Sequence, residues 1–245
     1  MSNDRIALIT GSNRGIGLEA AKQLSNQGVK VILSGRDKAK LEAVQATWNG
    51  EVAPIDIIEL DITKAEDRAR AAQKIAEQYG RLDILVNNAG VIVEGEWGQN
   101  NSETVSQEDL NTTFSINVFA QIGLTQDLLP VLKKSKAGRI VNVSSILGSL
   151  AVNADQNSSW SAVKPFAYNA SKAALNMFTV SLSQSLADTG IKVNSAHPGW
   201  VKTDLGTSAA PMDVTEGART VVELALIDSD GPNGQFIHLG EEQPW

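Results

Sequence analysis

In Arg5-Ile-Ala-Leu-Ile-Thr-Gly-Ser-Asn-Arg-Gly-Ile-Gly-Leu18 a short apolar run gives way to three glycines and then to helical spacing. The run Ile6-Ala-Leu-Ile9 suits a strand buried on both faces of a parallel sheet. Gly11, Gly15 and Gly17 follow, and Leu18-Glu-Ala-Ala-Lys-Gln-Leu24 repeats its apolar residues as a helix does. A strand, a glycine turn and a helix start together make an anion site. Backbone N–H groups and the positive end of the helix dipole face one point, and the missing β-carbons let a phosphate approach. The common dinucleotide fingerprint spaces its glycines G-x-G-x-x-G. Here the spacing is G-x-x-x-G-x-G, so the turn alone also fits a plain strand–helix corner of some other α/β domain.

Outward from this stretch the pattern continues. Gly28 stops the first helix and Val29-Lys-Val-Ile-Leu33 reads as a second strand. A helix over 37–48, a third strand over 52–60 and an amphipathic helix over 64–79 complete the first half of a doubly wound sheet. Leu82-Asp-Ile-Leu-Val-Asn87 is a fourth strand. Residues 91–104 read as loop, and Ser106 with Asp109 as the capped start of helical sequence running to 132. A fifth strand spans 138–145, a helix 168–188, a sixth strand 192–197, a last helix 215–227 and a seventh strand 235–238. Neither repeats nor a linker interrupt the chain, so one domain over 1–245 is expected, with substrate loops at about 91–104, 149–165 and 200–214.

Composition narrows the function. A net charge of −7 speaks against nucleic acid or an anionic membrane as partner. The chain has no cysteine, which excludes disulfides, thiolate catalysis and cysteine-ligated zinc, and its only histidines, His197 and His238, argue against a histidine-rich metal centre. The first strand follows the N-terminus at once, and no apolar run approaches the ~20 residues that span a bilayer. No signal peptide, no membrane span and a cytoplasmic location are therefore expected.

In a doubly wound sheet, ligands bind outside the carboxyl ends of the strands. The polar residues at those ends are Thr10, Ser34-Gly-Arg36, Asp61, Asn87-Asn88, Ser144-Ser145 and the stretch 197–203, so they converge on one rim. Tyr168-Asn-Ala-Ser-Lys172 sets a phenol and an ammonium on one face of a helix. A phenol with its usual pKa near ~10 is a weak acid, and a nearby cation favours its phenolate. Such a phenol can give its proton to a carbonyl oxygen as hydride reaches carbon, with Ser145 as a second donor to that oxygen. The alternative is a surface pair at helical spacing.

Over essentially its whole length the sequence resembles the short-chain dehydrogenase/reductase family. Thr10-Gly-Ser-Asn-Arg-Gly-Ile-Gly17 is similar to its glycine motif, and Asn87-Asn-Ala-Gly90 to the motif that supports its central sheet. Asn117, Ser145, Tyr168 and Lys172 fall on its catalytic tetrad, and Pro198-Gly199 on its nicotinamide-side turn. The resemblance implies a single Rossmann-type doubly wound α/β domain. Its seven-stranded parallel sheet would have the order 3-2-1-4-5-6-7 with helices on both faces. It also implies that Tyr168 is the general acid in reduction, that Lys172 lowers its pKa and binds the nicotinamide ribose, that Ser145 orients the carbonyl, and that Asn117 holds a water in a proton relay. Gly11, Ser12, Asn13, Arg14, Gly15, Ile16 and Gly17 would cradle the cofactor. Asp61 and Ile62 would meet the adenine, Asn88, Ala89, Gly90 and Val201 would add contacts, and Thr203 would bond the carboxamide.

Cofactor choice has a physical argument of its own. An acid after the second strand would bond the ribose 2′-hydroxyl of NAD. Here Leu33-Ser-Gly-Arg36 carries none, and Arg36 and Arg14 suit a 2′-phosphate, so NADP(H) is expected. Arg36 also reads as a solvated arginine at a helix start, with Asp37 either its partner or the N-cap of that helix.

Two departures place the chain within the family. Ser145 and Tyr168 stand further apart than in the tetrameric members, and the C-terminus from Gly231 resembles that of monomeric NADPH-dependent carbonyl reductases. A monomer is expected, with a dimer as alternative. Trp97, Ile146, Leu147, Trp160 and Trp200 lie beside the motifs and suit an apolar pocket wall, although loop aromatics pack as often as they bind. His197 reads as structural. The expected activity is hydride transfer between NADPH and a ketone, aldehyde or quinone, giving an alcohol. A pathway-specific biosynthetic alcohol dehydrogenase and a non-catalytic NADPH-binding redox sensor are the other readings.

Overall fold

A computed structural model describes residues 4–48, 55–95 and 101–245. β1 (Ile6–Thr10) pairs in parallel with β2 (Lys30–Gly35) on one side and β4 (Ile84–Asn87) on the other. β3 (Asp56–Glu59), β5 (Arg139–Val143), β6 (Lys192–Ala196) and β7 (Phe236–His238) extend the sheet in the order β3-β2-β1-β4-β5-β6-β7, all parallel. One correction to the expected sheet is needed. An eighth strand, β8 (Glu241–Glu242), pairs antiparallel with β7, because Leu239 and Gly240 both adopt positive φ and turn the chain straight back. The expected strand at 52–60 is observed over Asp56–Glu59, and residues 52–54 lie outside those described.

Two apolar layers flank the sheet, which explains why β1 is apolar without alternation. Ala7 and Ile9 face one layer with α1 (Gly15–Asn26), α2 (Lys38–Ala46) and α8 (Val214–Leu226). Ile6 and Leu8 face the other with α3 (Ala65–Tyr79) and α5 (Ala120–Leu132). Every residue of β1 is therefore buried, and apolar side chains on both faces stabilise it by burial.

Side-chain caps set several helix starts. Asp37 accepts from Lys40 N at 3.1 Å and is thus the N-cap of α2, which resolves its reading from sequence. Ser106 caps α4 (Gln107–Phe114) through Asp109 N at 2.9 Å. The helical sequence expected up to 132 is not one regular helix. Between α4 and α5, Ser115–Phe119 forms a π-helical turn that contains Asn117. The loop expected over 149–165 contains a short helix, α6 (Leu150–Ala154), capped by Ser149. The helix carrying Tyr168 and Lys172 is α7 (Phe166–Ser185). Among the described residues, no helix is long and apolar enough to cross a membrane.

Candidate active site

A cleft of about 710 Å³ runs along the carboxyl ends of β1, β2, β4, β5 and β6, where the sequence brings its polar residues together. At its floor Gly11 (φ 62°) and Gly15 (φ 57°) hold backbone conformations that other residues rarely adopt. A β-carbon on Gly17 would lie 2.5 Å from Asn88 Nδ2 and 2.8 Å from the Gly11 carbonyl, so this contact requires glycine. The start of α1 has no side-chain cap, which leaves its first N–H groups to a ligand. Asn13 and Ile16 line the cleft beside these glycines. Ser12 does not line it. Its hydroxyl donates to Ile9 O (2.8 Å) and accepts from Ser34 N (2.9 Å), tying the turn back onto β1 and β2.

The segment after β4 holds the turn in shape. Asn88 Nδ2 donates to the carbonyls of Thr10 (2.8 Å) and Gly11 (3.2 Å), and the Asn88 and Ala89 N–H groups donate to Thr10 Oγ1. Asn88, Ala89 and Gly90 also line the cleft.

Arg36, Asp61 and Ile62 line the end of the cleft nearest β2 and β3. Asp61 Oδ1 accepts from the N–H and hydroxyl of Thr63, which fixes that corner. Arg14 also lines the cleft, but its guanidinium pairs across it with Asp204, both side chains being largely exposed. The two arginines expected at a 2′-phosphate therefore differ in this structure.

At the opposite end the tetrad residues meet. Ser145 follows β5, and its hydroxyl accepts from Leu147 N at 3.2 Å as it starts a 3₁₀ turn, Ile146–Gly148. Tyr168 and Lys172 are buried on α7. Lys172 Nζ lies 5.6 Å from the Tyr168 ring centroid and donates to Val143 O at 2.7 Å. Burial pushes the Tyr168 phenol up to about 12 against a lowering hydrogen bond with Ser145, and burial pushes Lys172 down to about 8. Burial is the first cause for both groups, so the phenol lies above its ordinary value in this structure and the amine below. Asn117 is fully buried and does not line the cleft. Its amide donates to Val91 O (2.9 Å) and Ser171 Oγ (3.1 Å) and accepts from Val91 N (2.9 Å), joining the end of β4 to α7.

Pro198, Gly199, Val201 and Thr203 line the cleft beyond β6, and the Thr203 methyl sits 3.5 Å from where a β-carbon on Gly15 would be. Ile146, Leu147 and Trp160 form an apolar wall with Tyr168 and Val163. Trp200 also lines the cleft, with its indole N–H donating to Gly206 O at 2.6 Å. Trp97 lies outside the described residues.

Two further residues belong to the site, one read from sequence only as structural and one not read at all. His197 lines the cleft as well as being structural. Its Nδ1 accepts from Ile146 N and Gly199 N, each at 3.3 Å, and so joins the Ser145 turn to the Pro198-Gly199 turn. Burial, reinforced by His238, pushes its pKa down to about 3. Glu94 is buried at the start of α7, accepting from the N–H groups of Ala167 and Tyr168. Its local sequence, with a second acid at Glu96, gave no signal for this contact.

Residues 5–213 match the sequence profile of the short chain dehydrogenase family. The chain is a short-chain dehydrogenase. This dehydrogenase is 32% identical to salutaridine reductase of Papaver bracteatum, over 97% of its own length and 95% of that protein's. It is 28% identical to (+)-neomenthol dehydrogenase of Capsicum annuum, over 98% and 97% of the two chains. The NADPH-bound carbonyl reductase from chicken fatty liver superposes on it with a TM-score of 0.85 at 28% identity, covering 99% of both chains.

Proposed function

We propose that this dehydrogenase reduces a carbonyl to an alcohol with NADPH, Tyr168 acting as general acid. The observation that carries the reading is the grouping of half-buried Ser145 with buried Tyr168 and Lys172 at the apolar end of a cleft whose other end is a glycine cradle. The cradle fits a dinucleotide: uncapped N–H groups of α1 would hold its phosphates and Arg36 its 2′-phosphate. Hydride for the carbonyl carbon would come from NADPH held there.

The chain's own residues manage the oxygen. A phenol pushed up to about 12 stays protonated at neutral pH and has its proton to give. Ser145 donates to the same oxygen as negative charge develops there. As the Tyr168 proton leaves, the charged form of Lys172 stabilises the phenolate from the same face of α7. Asn117 holds Val91 and Ser171 in place behind them.

Ile146, Leu147, Trp160 and Trp200 would admit an apolar ketone, aldehyde or quinone between segments 91–104, 149–165 and 200–214. We take residues 1–245 as one catalytic unit acting as a cytoplasmic monomer. The relatives named for salutaridine and neomenthol favour a second reading, a biosynthetic enzyme with one physiological substrate.

The test is NADPH and NADH oxidation with a panel of ketones, aldehydes and quinones, beside Tyr168→Phe. Turnover with NADPH that falls by roughly 10²–10⁴ in the variant, with cofactor still bound, supports the reading. Cofactor binding without turnover of any carbonyl would favour the redox sensor.

A further inference from the structure

We propose that Glu94 is a positioning residue for Tyr168, its carboxylate capping the first turn of α7 from the segment that follows β4. The inference rests on the reading of Tyr168 as general acid.

The first N–H groups of any α-helix lack intrahelical partners, and the N-cap side chain ordinarily accepts from one of them. In α7 the N-cap is Pro165, whose side chain has no acceptor. Glu94 supplies what Pro165 cannot. Its Oε1 accepts from Ala167 N at 2.8 Å and its Oε2 from Tyr168 N at 2.7 Å. The residue is 2% exposed. A buried carboxylate is costly to desolvate unless donors meet it, and two N–H groups at the positive end of a 20-residue helix do so.

The segment bearing Glu94 is fixed at several points. Ala89 N donates to Thr10 Oγ1, Ala89 O accepts from Gln121 Nε2 at 2.7 Å, and Val91 is held at both its N–H and its carbonyl by Asn117. Glu94 therefore transfers the position of the β4 end to the backbone N–H of the residue that carries the phenol. With the cap removed, the first turn of α7 is free to fray and the phenol loses its place. Misplacing a reacting group by about 1 Å costs on the order of 10²-fold in rate.

The test compares the parent with Glu94→Gln, with Glu94→Gln combined with Pro165→Ser, and with Tyr168→Phe. Glutamine keeps the shape but has one acceptor oxygen where two are needed, and serine at 165 restores a local acceptor for Tyr168 N. Measured are thermal stability, the Kd for NADPH, kcat and KM for the carbonyl the parent turns over best, and amide exchange of the peptide 166–172. Glu94→Gln is expected to lose ~10–100-fold in kcat, with the carbonyl KM and the NADPH Kd changed by less than about threefold. The double variant is expected to recover most of that kcat.

A Glu94→Gln kcat within about twofold of the parent overturns the proposal, as does a double variant that regains stability without regaining kcat. If Glu94→Gln does not fold, the double variant is decisive. Near-parental kcat in it supports the proposal; a folded but slow protein, or an unfolded one, overturns it. Loss of turnover in Tyr168→Phe but not in Glu94→Gln would leave the hydride-transfer reading standing and remove only this inference. A parent inert on every carbonyl would sink that reading instead. Amide exchange then carries the test. Faster exchange in Glu94→Gln, slowed again by Pro165→Ser, supports the positioning, and unchanged exchange overturns it.

Discussion

The ammonium of Lys172 stands 5.6 Å from the ring centroid of Tyr168 and donates to the Val143 carbonyl at 2.7 Å, with both side chains buried. Burial penalises the charged form of each, so the phenol rises to about 12 and the amine falls to about 8. On the proposed reading, reduction needs the phenol protonated and the amine charged. kcat/KM for carbonyl reduction should therefore be level at neutral pH and fall on the alkaline side as Lys172, pushed down to about 8 by burial, loses its proton. An initial-rate pH profile with saturating NADPH checks this.

The same lysine sets stability against activity. Its folded pKa lies below the unfolded one, so between about 8 and 10.5 the unfolded chain binds more protons, and stability rises with pH across that window. Below it the cost of the buried charge is present in full. Lys172→Met should abolish most turnover yet raise stability at pH 7 by on the order of 1–2 kcal/mol, after allowing for the lost bond to Val143. That advantage should shrink as pH approaches 10. Thermal melts of both proteins at pH 7 and pH 10 decide it.

His197 works in the opposite pH range. Its pKa is pushed down from 6.5 to about 3, so protons bind the unfolded chain first, and the stability it contributes is lost as pH falls below 6.5. His197→Asn keeps an acceptor for Ile146 N and Gly199 N but does not titrate. Its melting temperature should decline less than the parent's between pH 6.5 and pH 4. Equal slopes would remove His197 as the acid-sensitive group.

Cofactor preference should depend on Arg36 more than on Arg14, because Arg14 already pairs with Asp204 across the cleft. Arg36→Ala is expected to raise the KM for NADPH by roughly 10–100-fold while leaving that for NADH nearly unchanged. Arg14→Ala should do less. The reverse order of effects would assign the 2′-phosphate to Arg14.

Gly148 is a less obvious constraint. A β-carbon there would fall 2.7 Å from both the Lys172 carbonyl carbon and its Cβ, and 2.9 Å from Ala173 N. These are mostly backbone atoms, so the turn bearing Ser145 and helix α7 must separate to admit a methyl group. Gly148→Ala should lose about 1–3 kcal/mol of stability and at least tenfold in kcat. Denaturant unfolding together with turnover measures both.

Local pattern in the sequence determined a great deal. Apolar runs too short for helices and lacking alternation marked strands buried on both faces, and their order implied the parallel sheet. Polar residues at the strand ends marked the rim where Ser145, Tyr168, Lys172 and the glycine turn meet. Asp37 as a cap was one of two readings that local spacing allowed.

What tertiary structure alone decided depends on contacts between distant segments, which periodicity does not encode. The π-helical turn forms where Asn117 reaches Val91 and Ser171, although its sequence reads as ordinary helix. Glu94 caps a helix that begins far along the chain, and Arg14 meets Asp204 only because β1 and β6 end on the same rim. The pKa values of Tyr168 and Lys172 follow from burial, a property of the whole fold. Their spacing on α7 implied an ion-stabilised phenolate; their burial instead raises the phenol and lowers the amine.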